Sequence, residues 1–146
     1  MIGNIKIIAV CMCKVYDERN YRIIRALNNF AVENDYRLFV YHTCSDLYWK
    51  TLSEKGEQSV FDLIDYNITD AVVTFEEGVY AENVMTKIRM DAAKYGKPVI
   101  SVGVEHDDCI SIKFGYAKGF EQVVRHVIEQ HGVRDIGFIA GRKDEE

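Results

Sequence analysis

With 146 residues, 48% hydrophobic and 28% charged, and with a single proline, the chain has the length of one domain and the make-up of an ordinary globular α/β protein, which excludes a disordered or fibrous chain. A chain of this size buries roughly 68–70% of its unfolded surface, so its core needs no disulfide or metal staple. A net charge of −5 offers no clustered basic face for a phosphate backbone, and no apolar run approaches the ~18–20 residues of a membrane span.

The chain opens on a near-continuous β-branched run, residues 5–13 (IKIIAVCMC), which fits a central parallel strand covered on both faces. It is too short before Lys14, and lacks the small-residue cleavage pattern, to be a signal peptide. Cys11, Cys13, Cys44 and Cys109 show no CxxC or Cys/His ligand spacing and read as reduced, mostly buried thiols of a cytosolic protein. From Asp17, a plausible N-cap, Ile23, Ile24, Leu27, Phe30 and Ala31 recur at helical spacing and predict helix one.

Strand two follows at residues 37–43, then a second helix over Glu57–Tyr66 with Val60, Phe61 and Ile64 on one side. Strand three is residues 70–75, and helix three turns Val84, Met85, Ile88, Ala92 and Tyr95 inward before Gly96 ends it. Strand four (97–104) carries its proline at the element's edge, where a missing donor is tolerated. Strand five (109–114) comes after the acidic turn His106-Asp107-Asp108, and helix four runs to Gly132 with Phe120, Val123, Val124, Val127 and Ile128 inward. Residues 135–141 (DIGFIAG) predict strand six.

Strands alternating with helices through short connections imply right-handed crossovers and a three-layer, doubly wound parallel sheet of order about 2-1-3-4-5-6. In such sheets ligands settle beyond the strands' carboxyl ends at the reversal of order. The loops to watch are therefore Lys14–Asn20, Thr43–Leu52, Phe75–Gly78, Glu105–Asp108, Phe114–Tyr116, and Gly141 onward. The loop after strand one, CKVYDERNY, has no glycine. This argues against a Rossmann or P-loop nucleotide site, where bare backbone must approach phosphate. Strand one also ends in thiols, not in the paired acids of a receiver domain.

Glu76 and Glu77 read first as solvated loop charges and second as carboxylates of a metal or acid/base site. His42, inside strand two, reads as a satisfied core histidine. His106, Asp107 and Asp108 read as turn formers ahead of a ligand site. Tyr48 and Trp49 fit equally a stacking surface for a sugar or base and a hydrophobic cap on the sheet end. No nucleophile motif such as GxSxG is present, no cofactor is implied, and catalysis by this segment is not expected.

The segment VRHVIEQHGVRDIGFIAG resembles one carried by lactose- and purine-repressor-type regulators: a helix, a Gly-x-x-x-Ile turn, and a strand ending in glycine. NYRIIRALNNFAVENDYRLFVYHT resembles their first helix and second strand, with Asn34-Asp35 replacing the usual glycine. LIDYNITDAVVTF resembles a third-strand motif, with Ala71 where glycine is usual, and KPVISVGVE resembles the IPVV strand. Together these cover nearly the whole chain. The resemblance implies the N-terminal lobe (1–141) of a type I periplasmic-binding-protein fold, whose two lobes close on a small molecule, with residues 142–146 starting the hinge. It suggests Tyr16, Asp17, Asn20, Asp46, Phe75, Glu76 and His106 as ligand-facing residues. An acid common in the family near Phe114–Tyr116 is absent, which removes one support for a sugar ligand.

FVYHTCSDLYWKT and FDLIDYNITDAVV look, more loosely, like sensor regions of bacterial proteins ending in a GGDEF (diguanylate cyclase) domain. With Met1 only four residues before strand one, a preceding helix-turn-helix reader has no room if Met1 is the native start. The expectation is a cytoplasmic, non-catalytic input lobe partnered by a C-terminal lobe and output domain of the same chain, in a homodimer, touching neither nucleic acid nor membrane. The alternatives are the effector-binding core of a lactose-repressor-type regulator and a dimerisation module with a vestigial cleft.

Overall fold

The computed structural model describes residues 5–77 and 79–139. They belong to two compact units, residues 1–113 and 114–146. The first unit runs β1 (Lys6–Cys13), α1 (Glu18–Glu33), β2 (Tyr36–Thr43), α2 (Leu52–Gln58) continuing into a 3₁₀ segment (Ser59–Leu63), β3 (Ala71–Phe75), α3 (Glu82–Lys94), β4 (Val99–Val102) and β5 (Ile110–Ile112). Every strand pair is parallel and the order is β2-β1-β3-β4-β5. The expected α/β class, a parallel sheet flanked by helices, is present.

The sheet reverses direction at β1, which pairs with β2 on one side and β3 on the other. Right-handed crossovers in opposite directions put the first helix and the later helices on opposite faces. Strand register sorts the side chains accordingly. Ala9 lies opposite Val72, and Val72 opposite Val99; these residues, with Cys11 and Cys13, meet Phe61, Ile64, Met85, Ile88 and Ala92 in one buried cluster. Val10 and Met12 point to the other face and are also fully buried, as a central strand requires.

Local chemistry shifts several boundaries. The second helix begins at Leu52, not Glu57, because Thr51 and Glu54 form a capping box: the Glu54 N–H donates to Thr51 Oγ1 at 3.2 Å and the Thr51 N–H donates to the Glu54 carboxylate at 2.9 Å. Past Gln58 the chain tightens to 3₁₀ geometry, and Phe61 and Ile64 still reach the core. On α1, Ala31 is buried and Ile23, Ile24 and Leu27 are half-buried, whereas Phe30, at the margin of the apolar stripe, is 66% exposed. Strand five is shorter than residues 109–114, pairing only over Ile110–Ile112.

The second unit holds α4 (Tyr116–His131), closed by Gly132 in the left-handed conformation. Its apolar positions were expected inward, yet α4 buries no residue, and Phe120, Val123 and Ile128 stand exposed. The predicted sixth strand does not form over residues 135–139, which have no regular structure. An apolar run becomes a strand only beside a neighbour that takes up its backbone hydrogen bonds, and the described residues of this unit include no other strand. Residues 140 and 141 of that prediction, and the expected hinge at 142–146, lie outside the described residues, as does Gly78. Among the described residues no helix is long and apolar enough to cross a membrane.

One backbone contact sets the geometry of the sheet's carboxyl end. Gly103, just after β4, has φ +101°, and a Cβ there would fall 2.6 Å from Glu77 Cβ and 3.0 Å from its backbone nitrogen. Only glycine lets the ends of β3 and β4 approach so closely. Gly103→Ala should therefore cost about 2–5 kcal/mol, from strain and overpacking together, whereas Gly56→Ala, in α2 with open space around it, should be neutral or stabilising by up to about 1 kcal/mol. Urea denaturation of the two variants checks both values.

Candidate functional site

The carboxyl end of the sheet carries two groups of polar side chains. The first is a buried knot. α3 presents Met85, Ile88, Arg89 and Ala92 as its buried stripe, so a guanidinium occupies a position whose spacing asks for an apolar residue. Arg89 is 7% exposed, as is Glu76, one residue past β3. Arg89 Nη1 donates to both Glu76 carboxylate oxygens at 3.0 Å, Thr74 Oγ1 donates to Oε1 at 2.8 Å, and His106 Nε2 lies 2.8 Å from Oε2.

Arg89 Nη1 also lies 3.0 Å from His106 Nε2. An Nε2–H bond to the carboxylate satisfies the stronger, charge-assisted partner, so we assign that tautomer. Arg89 Nη2 donates to Thr86 Oγ1 at 3.1 Å. Arg89 Nε is buried without a hydrogen bond, and Asp108 Oδ1 lies 3.6 Å from it. The His106 N–H donates to Ser111 Oγ at 3.0 Å, and Ser101 Oγ to the Val104 carbonyl at 2.8 Å. These bonds fix the turn between β4 and β5 against the end of β3. Glu76 and His106 thus meet, 30 residues apart in sequence, but each is spent on internal partners.

The second group is a rim across the sheet reversal. Lys14, in the left-handed conformation, pairs with Asp46 at 2.9 Å, which raises the Lys14 pKa chiefly through that hydrogen bond. The Tyr16 hydroxyl donates to the Cys44 carbonyl. Asn20 Nδ2 donates to the carbonyls of Cys13 and Lys14 at 3.0 and 3.1 Å, so it clamps the end of β1 rather than facing out. Arg19 pairs with Glu77 at 2.9 Å, and the Tyr80 N–H donates to the Asp46 carbonyl at 2.9 Å. Beneath this, one Glu57 oxygen accepts from Cys44 N–H, Ser45 N–H and Ser45 Oγ at 2.8–3.1 Å. The loops after β1, β2 and β3 are thereby tied together.

The remaining candidates occupy other positions. Asp17 is the N-cap of α1 by backbone geometry, but its side chain makes no capping bond. Phe75, the last residue of β3, is half-buried on the Val10 face, opposite Val102. Tyr48 is half-buried and meets both Trp49 and Tyr80 edge-to-face, with centroids 4.9 and 5.0 Å apart. Trp49 is 76% exposed and Tyr16 60%. His42 is half-buried, its Nδ1 3.4 Å from the Thr43 carbonyl.

Lys14, Arg89 and Glu57 were not anticipated. Of these only Arg89 had a legible signal, a charge at i+4 from Met85 on the apolar stripe. Burial drives the Cys11 thiol well above its ordinary range, with the Glu76 charge adding to it, and pushes Cys13 up to about 11 against the opposing Thr43 hydrogen bond. Burial thus favours the thiol form of both at neutral pH. Among the described residues no three His, Cys, Asp or Glu side chains form a metal-ion site.

Comparison with protein-family models and with curated proteins returns no match for this chain.

A buried pair stripped of one partner leaves an uncompensated charge, at a typical cost of about 3–5 kcal/mol. Arg89→Met should destabilise the protein by that amount, and adding Glu76→Gln should restore a large part of it. In a double-mutant cycle measured by denaturation the coupling should reach about 2 kcal/mol or more. Additive single effects would mean that the pair does not hold the sheet end together.

Proposed function

We propose that residues 1–113 supply one wall of a small-molecule-binding cleft in a non-catalytic, cytoplasmic sensing module of a bacterial signalling or regulatory protein. The facing lobe and an output domain, of the GGDEF type by the looser resemblance, belong to the same polypeptide. The observation that carries this is the rim at the reversal of strand order. Three loops are held rigid by Lys14–Asp46, Tyr16–Cys44 and Arg19–Glu77 contacts, while Tyr16 and Trp49 stand in solvent. Preorganised loops bearing exposed aromatic and charged groups suit recognition of a small ligand, and such sites form at this place in parallel sheets.

In this proposal the ligand-facing set is Tyr16, Asp17, the Lys14–Asp46 pair and Trp49. Glu76 and His106 act from beneath by fixing the turn after β4. A ligand that binds the closed arrangement of two lobes better than the open one shifts the population toward closure, and a coupled output reads that shift. Chemistry is not required of the lobe, in keeping with the two protonated thiols and the internally paired Glu76 and His106.

A second reading, a dimerisation module with a vestigial cleft, draws on α4, whose Phe120, Val123 and Ile128 are exposed together; paired apolar helix faces commonly build two-fold interfaces.

Thermal-shift screening of a metabolite set tests the sensing proposal on two proteins, residues 1–146 alone and the parent polypeptide including the facing lobe. The parent should gain melting temperature with one ligand class, Trp49→Ala should weaken that binding roughly tenfold, and the single lobe should show no tight binding. If the parent binds nothing while its sedimentation coefficient rises with concentration, the dimerisation reading replaces the sensing one.

A further inference from the structure

α4 carries a pair of histidines that neither the fold nor the proposed cleft uses. His126 and His131 are both exposed, with Nε2 atoms 3.3 Å apart and rings edge-to-face at 5.1 Å between centroids. The approach of two like nitrogen tips is informative. At 3.3 Å one neutral ring can donate its Nε2–H to the Nε2 of the other in a long hydrogen bond. Two imidazole nitrogens each about 2.05 Å from one tetrahedral ion lie about 3.3–3.4 Å apart. The observed separation matches that bite.

The surroundings also favour a cation. His131 is the last residue of α4, and Gly132 closes the helix with its N–H on the Ile128 carbonyl at 3.1 Å. The unsatisfied carbonyls of a helix's last turn carry negative partial charge. Beside His126 a shallow depression of about 400 Å³ is lined by Gln122, Arg125, Glu129 and Gln130 as well. The Glu129 carboxylate there is held by Arg125 at 3.3 Å and does not complete a three-residue site.

We propose that His126 and His131 chelate one borderline transition-metal ion, of the class of Zn²⁺, Ni²⁺ or Cu²⁺, through their Nε2 atoms. Water or a donor from a second copy of the chain fills the remaining positions. Imidazole donors select these ions over Mg²⁺ and Ca²⁺, which prefer oxygen.

The experiment follows the imidazole proton resonances of the 146-residue chain, carrying Cys44→Ser to remove the exposed thiol, as ZnCl₂ is added at pH 7.5. His126 and His131 should shift together and saturate at one ion per chain with micromolar affinity, while His42 and His106 stay in place and MgCl₂ has no effect. His126→Ala and His131→Ala, at exposed positions that leave the fold intact by circular dichroism, should each weaken binding at least tenfold. The proposal is overturned if the two resonances stay fixed up to millimolar Zn²⁺, if either single variant binds as tightly as the parent, or if Mg²⁺ competes.

Discussion

The carboxyl end of this sheet depends on a charge that the sequence places where an apolar residue belongs. Arg89 lies on the buried stripe of α3 beside Met85, Ile88 and Ala92, and desolvating a guanidinium there is tolerable only because Glu76 meets it with both carboxylate oxygens. Glu76 is in turn held by Thr74 and His106. One buried ion pair thereby joins α3, the end of β3 and the turn after β4. Gly103 permits the joint by allowing the β4 end to come against Glu77. Such a pair adds little net stability over an apolar packing, but it specifies one arrangement, because every alternative leaves a buried charge without a partner.

Above this fixed base the rim loops connect to one another with shorter-range devices. Asn20 satisfies carbonyls at the end of β1, Glu57 gathers the donors of Cys44 and Ser45, and Lys14 reaches Asp46 across the reversal of strand order. The strained backbone of Lys14, Leu47 and Lys50, all at positive φ, falls in these same loops. Left-handed conformations in non-glycine residues persist only where the surrounding structure over-determines them, and they cluster at sites that bind or switch. The proposed cleft wall gains its rigidity from this lacing.

Much of the first unit was legible because its signals are local. Near-continuous β-branched runs such as Ile7–Val10 mark buried parallel strands, and Asp17 and Gly96 mark helix ends. The misplaced second helix had a readable start in Thr51-x-x-Glu54, outweighed by the stronger apolar spacing of Val60, Phe61 and Ile64. Strand six failed for a different reason: the apolar run at 135–139 carries no information about whether a neighbouring strand stands beside it. The candidate residues divided along the same line. Tyr16 and Asp17 were locatable from loop position alone. That Glu76 is engaged by Arg89, and His106 by Glu76, is a fact of tertiary contact over 13 and 30 residues, and only the misplaced charge on α3 hinted at it.

Native-state hydrogen exchange tests the central claim most directly. If the knot of Arg89, Glu76 and His106 fixes the sheet end, three amides should exchange only through global unfolding, at the same free energy as those in the middle of β1. They are Glu76 N–H bonded to the Val102 carbonyl, Gly103 N–H bonded to the Ile112 carbonyl, and His106 N–H bonded to Ser111 Oγ. Rapid exchange of these three by local opening, with β1 still protected, would show that the sheet end is loose and that the ion pair does not organise it.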